Sequence, residues 1–168
     1  MSDVKSLYDE DFVAWTQQQA KALRAAAGSR TNQPLDWENL AEEVEDLGKS
    51  VRRELGSQIR RIIQHLLKLQ YSPSADPRRG WFESVTGARA EIEDILEQNP
   101  SLARELDDQI AKQTARAIDL AIEDLEEFGE IDNTSRRTLR STHYSQEQIL
   151  GRWFPLAPKK PTRRAREP

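Results

Sequence analysis

Glu54, Gln58, Arg61 and His65 stand at offsets of four, seven and eleven residues. In a helix turning ~100° per residue, that spacing lines the four side chains along one ridge. Glu43, eleven residues before Glu54, falls close to the same line. A carboxylate, an amide, a guanidinium and an imidazole in a row could build a proton-handling cleft, with His65 as shuttle or ligand and Glu54 as its partner. The competing reading is a boundary network whose polar groups hydrogen-bond to a neighbouring helix. That reading takes precedence, because bundle helices ordinarily carry polar flanks beside their apolar stripe.

Arg89 lies between Val85 and Ile92 on a second apolar stripe. A partly buried guanidinium needs a counter-group, and Glu42, Glu43 and Glu45 are the expected partners in an internal ion pair; an anion or ligand contact is the alternative. Metal chemistry has little support. A di-iron bundle would need Glu three residues before each histidine, yet Ile62 precedes His65 and Arg140 precedes His143. A carboxylate-rich magnesium or manganese site built on Glu38, Glu42 and Glu45 stays open, although a solvated acidic face is the commoner use of such residues. Trp37, Trp81 and Trp153 read as packing rather than as a ligand cage. No Gly-x-Ser-x-Gly nucleophile motif and no glycine-rich phosphate loop occurs. The expectation is therefore no confident catalytic residue, no cofactor and no metal.

The chain has no cysteine, which removes disulfides, thiolate metal sites and a cysteine nucleophile together. Its 168 residues, 36% of them hydrophobic, suffice for one domain over residues 1–155 with a real core. The first twelve residues lack the pattern of a signal peptide, and no apolar run approaches the ~20 residues of a membrane helix. A soluble, cytoplasmic protein with no membrane contact is expected. Lys159, Lys160, Arg163, Arg164 and Arg166 against Glu167 give the proline-rich segment 156–168 a charge of +4, leaving −8 for the rest of a chain whose net charge is −4. An acidic body repels a phosphate backbone, so nucleic acid is expected to bind weakly at most, through this flexible basic tail.

The positioning elements read as helices. Asp9 is placed to cap a first helix ending near Ala27, before Gly28. Asp36 precedes a second, from Trp37 to Gln70, whose Leu40, Val44, Leu47, Val51, Leu55, Ile59, Ile62, Leu66 and Leu69 recur every three or four residues. It spans about 50 Å at ~1.5 Å per residue, and Gly48 and Gly56 within it mark bends or close helix contacts. Its opening turns are acidic and its later turns basic, an order that complements the helix dipole. A third helix is expected from Gly80 to Gln98, a fourth from Ser101 to Phe128 closed by Gly129, and a short one from Ser145 to Leu150. The fold class is all-α, an antiparallel bundle on one long central helix.

Several phrases carry a family resemblance: Tyr8-Asp9-Glu10-Asp11-Phe12 with Trp15; Asp36 to Glu45; His65-Leu66-Leu67-Lys68; Trp81 with Arg89; Asn99-Pro100-Ser101-Leu102; and Tyr144 to Pro155. In this order they resemble a bacterial domain-of-unknown-function family, number twenty-nine in its series, found in cyanobacteria and proteobacteria. The resemblance implies a helical fold and assigns no activity. Thr142-His143 stands where the resemblance leads one to expect Cys-Pro, which argues against His143 as a shared catalytic group. The leading functional expectation is a protein-interaction or regulatory module that binds another protein, its oligomeric state open. The alternatives are an accessory partner in nucleic-acid transactions, such as a toxin-neutralising protein, and a carboxylate- or histidine-dependent enzyme.

Overall fold

Short polar side chains fix where the helices begin. The computed structural model describes residues 4–29 and 34–158. Asp11 adopts extended backbone (φ −157°, ψ 92°) between α1 (Val4–Glu10) and α2 (Phe12–Gly28), and its carboxylate accepts from the Ala14 amide at 2.8 Å. The cap is thus Asp11, not Asp9, which lies inside α1. Asp36 accepts from the Asn39 amide at 3.2 Å and opens α3 (Trp37–Tyr71) as its position predicts. This helix is continuous through Gly48 and Gly56 for 35 residues.

After the turn at 72–77 come α4 (Arg78–Gln98), a 3₁₀ segment (Pro100–Glu105) and α5 (Leu106–Glu127). The expected fourth helix therefore starts as a tighter turn. Gly129 closes α5 with φ +64°, a left-handed value suited to glycine, and the following Glu130 amide reaches back to the Leu125 carbonyl at 2.8 Å. Two short helices follow, α6 (Asn133–Arg140) and α7 (Gln146–Leu150). Sequence periodicity misses α6, whose one buried side chain is Leu139. It foresees α7, which Ser145 and Gln148 begin with a reciprocal capping box. Among the described residues no strand occurs, and the protein is all-α on the long α3.

The chain divides into two compact units: Met1–Ile59 with Ala90–Ala111, and Arg60–Arg89 with Lys112–Pro168. In the first unit, α2 lies on the small-residue side of α3, with Thr16 against Gly48 and Arg24 bonded to Glu45 at 2.6 Å. Val13, Ala20, Ala41, Leu55, Ile59, Ile92, Leu102 and Leu106 form its core. The amino-terminal stripe of α3 departs from expectation. Because α2 covers Ala41 and Gly48 instead, Leu40 and Leu47 remain 41% and 50% exposed.

In the second unit, Ile62, Ile63, Leu66, Leu67 and Leu69 of α3 are all fully or almost fully buried, so the apolar face is wider than a single stripe. Val85, Ala88, Ile118, Ile122, Leu125, Leu139 and Ile149 complete that core. Arg60 bonds to Gln113 at 3.0 Å, and Gln64 and Lys68 both bond to Asp124 at 2.9 Å, so α3 and α5 run parallel here. Arg78 donates to the Leu69 and Ser72 carbonyls at the tight turn that sends α4 back along α3. The basic tail lies, from Lys159 onward, outside the described residues.

Candidate functional site

The residues of the ridge foreseen on α3 fall in both units. Glu54 and Gln58 belong to the first unit, where Gln58 Nε2 donates to Glu54 Oε1 at 2.5 Å. Gln58 is only 5% exposed, and its Oε1 has no hydrogen-bond partner. Arg61 and His65 belong to the second unit, Arg61 exposed and His65 half-buried. Burial, reinforced by the Lys68 ammonium, pushes the His65 imidazole down to about 4 against the opposing pull of Asp124. Its Nδ1 is buried and unpartnered. A neutral imidazole so far from its ordinary range is poorly matched to proton transfer near neutral pH.

Arg89 forms no ion pair with Glu42, Glu43 or Glu45. Its guanidinium donates at 2.8 Å to three backbone carbonyls, those of Gln148, Ile149 and Trp153, and lies 4.7 Å from the centre of the Phe154 ring. Carbonyls left open at the end of α7 supply the acceptors that carboxylates were expected to supply. Burial lowers the Arg89 pKa, yet a guanidinium in this environment stays charged. Glu45 goes instead to Arg24, which also reaches Glu38 at 3.5 Å, while Glu42 and Glu43 face solvent. The acidic start of α3 is thereby partly tied down. Among the described residues, no group of three or more histidine, aspartate or glutamate side chains converges as a metal site would require.

Two features of the first unit lie side by side. Leu40, Val44, Leu47 and Val51 follow spacings of four, three and four residues and remain exposed or half-buried. Beside Val51 opens a cavity of about 530 Å³, lined by Phe12, Ser50, Glu54, Glu91, Asp94 and Ile95 among others. Its three carboxylates have no basic residue among the lining side chains. Phe12 also belongs to an aromatic cluster, with Tyr8 and Trp15 centred 5.6 and 5.8 Å from it.

The second unit holds a smaller cavity of about 340 Å³, which no sequence pattern announced. Lys68, Trp81, Asp124, Leu125, Phe128 and Glu130 line most of it. The Lys68 ammonium bonds to Asp124 at 2.9 Å and stands 5.0 Å from the centre of the Trp81 ring. Ser72 donates to Glu130 Oε2 at 2.5 Å, and Ser74 donates to Glu130 Oε1. In the same unit Tyr144, Trp153 and Phe154 line an open groove with His143 at its edge. Tyr144 donates to Gln70 Oε1 at 2.6 Å, and burial pushes its phenol well above the ordinary tyrosine range.

These features define an all-α protein with two cavities, an open groove and an uncovered apolar stripe. A family model for the domain of unknown function DUF29 matches residues 7–154, and the chain belongs to that family. Among solved structures it is similar to one described as an alpha-helical protein of unknown function from Rhodospirillum rubrum, at 30% identity and a TM-score of 0.70, covering 86% of this chain and 89% of that one. No curated protein matches. Among the described residues, no helix is long and apolar enough to cross a membrane.

Proposed function

We propose that the protein is an interaction module whose first unit captures a basic, amphipathic helical segment of a partner protein. The observation that carries this reading is the uncovered stripe of Leu40, Val44, Leu47 and Val51, which leads into the cavity bearing Glu54, Glu91 and Asp94. Scattered exposed leucines need no explanation, but this row has the spacing with which one helix receives another. Charge selects the occupant. The acidic residues on that side of α3 are Glu43, beside the stripe, and Glu54, at the cavity, so a segment bearing lysine or arginine beside its apolar positions is favoured and an acidic one is repelled. Neutralisation of a basic toxin or nuclease would be one form of this activity, whereas the same acidic surface disfavours direct contact with a phosphate backbone.

The test is the double substitution Leu40→Ser with Leu47→Ser in the full chain. Both side chains are substantially exposed, so the melting transition should hardly move while partner capture from the native host is lost. A captured protein should contain a basic amphipathic segment, and a synthetic peptide of that segment should bind the wild type at least tenfold more tightly than the variant, with affinity falling as salt rises. Retention of the same partners by the variant would end the reading. A concentration-dependent dimer abolished by the same substitutions would assign the stripe to a second copy of this chain instead.

A further inference from the structure

We infer that the 340 Å³ cavity of the second unit binds a small organic cation carried on an apolar body, with Glu130 as counter-ion and Phe128 and Trp81 as walls. Its size and make-up are those of a small-molecule site: a largely apolar lining with a few fixed polar groups. The charges around it are unequally satisfied. Lys68 is neutralised by Asp124 and also lies near the Trp81 ring, so it offers little to an anion. Glu130 has no basic side chain at ion-pairing distance among the described residues, and both its oxygens accept only neutral serine hydroxyls. Each carboxylate oxygen keeps a further lone pair for an incoming N–H donor.

The serines also fix the direction of that carboxylate. Ser72 is fully buried at the end of α3, and Gly129 turns the backbone so that Glu130 meets it. A bound ammonium would therefore find an oriented acceptor at no cost in side-chain ordering. Phe128 is 74% exposed and lines the same cavity, leaving an aromatic surface available to the ligand's apolar part or to its charge. An amine or guanidine on an aromatic or branched aliphatic frame matches these walls; a carboxylate on the same frame would meet two acidic side chains and an already paired lysine.

Isothermal titration of the full chain with phenethylammonium, phenethyl alcohol and phenylpropionate tests the assignment. The amine should bind at least tenfold more tightly than either of the others, and Glu130→Gln should remove most of that preference. Glutamine can still accept from a serine, so the turn should remain folded; a thermal melt checks this. Phe128→Ala, at an exposed position, supplies a second arm and should weaken the amine severalfold without changing the melt. Equal binding of the amine and the alcohol, unchanged affinity in a folded Glu130→Gln or Phe128→Ala variant, or no binding of the amine at millimolar concentration would each overturn the proposal.

Discussion

The Ser101 backbone amide donates to the Asp11 carboxylate at 2.6 Å, joining residues 90 positions apart. The same carboxylate caps α2 through Ala14 and accepts from the Ser101 hydroxyl at 3.0 Å. Next to it, Asn99 accepts from the Val13 amide at 3.1 Å and donates to the Ile95 carbonyl at 2.8 Å. Two of the phrases that carry the family resemblance, one around Asp11 and one around Asn99, thus meet as a structural joint.

Asp11→Ala should accordingly cost more than an ordinary cap. Loss of the cap and of the charged acceptor for Ser101 together predict a destabilisation of about 2–3 kcal/mol, measured by urea denaturation. Asp9→Ala, which removes no cap, should stay within about 0.5 kcal/mol. Equal effects at the two positions would contradict the placement of the helix break.

Arg89 makes a second joint, between α4 and the segment from Gln148 to Trp153. Arg89→Ala should destabilise by about 2 kcal/mol, because three carbonyls lose their donor. Hydrogen exchange in residues 146–155 should accelerate before exchange in α3 does. Arg89→Lys should recover little, since a single ammonium does not reproduce the fork that spans these acceptors. A Glu42→Gln, Glu43→Gln, Glu45→Gln triple variant should leave exchange in residues 146–155 unchanged.

What the sequence conveyed follows from how local each signal is. The bounds of α3, the Asp36 cap, the stop at Gly129 and the short helix beginning about Ser145 depend on residues within a few positions of one another, and all are found close to where the pattern puts them. Asp9 and Asp11 are equally good caps in isolation, and the contact that distinguishes Asp11 comes from Ser101, far along the chain. The expectation of carboxylate partners for Arg89 arises because side chains are visible in a sequence, whereas open carbonyls at the end of a short helix are not. The exposure of Leu40 and Leu47 had the same origin. Periodicity defines an apolar face but does not say that α2 settles on the adjacent Ala41 and Gly48. Of the foreseen ridge, Glu54 and Gln58 do touch, but Asp124 and Glu130, which order the second cavity, carry no motif.

His65 should make stability depend on pH in a defined window. Its folded-state value of about 4 is below the ordinary 6.5, so the unfolded chain takes up the proton first as pH falls. Stability attributable to this residue is therefore full above pH 6.5 and is lost progressively towards pH 4, by roughly 1–2 kcal/mol after allowance for solvent screening at a half-buried site. His65→Gln should flatten that part of the curve. Urea midpoints for both proteins at several pH values across this window isolate the effect from carboxylates that titrate lower. Parallel curves would show that the imidazole is protonated alike in folded and unfolded chains.

The contact between Thr16 and Gly48 allows the packing of α2 on α3 to be tested from both sides. A Cβ added at Gly48 would fall 2.3 Å from Thr16 Oγ1, well inside contact distance, although alanine is otherwise the better helix former. Thr16 has little room to yield, because it is fully buried and its hydroxyl is held by the Val13 carbonyl at 2.8 Å. Gly48→Ala should therefore destabilise by about 1–3 kcal/mol despite its favourable propensity. Thr16→Ala removes the obstructing hydroxyl, so Gly48→Ala made in that background should cost at least about 1 kcal/mol less than in the wild type. A double-mutant cycle from chemical melts reads this coupling directly. Additive effects would mean that α2 can move away from α3 without penalty, and the close approach at Gly48 would lose its role in holding the first unit together.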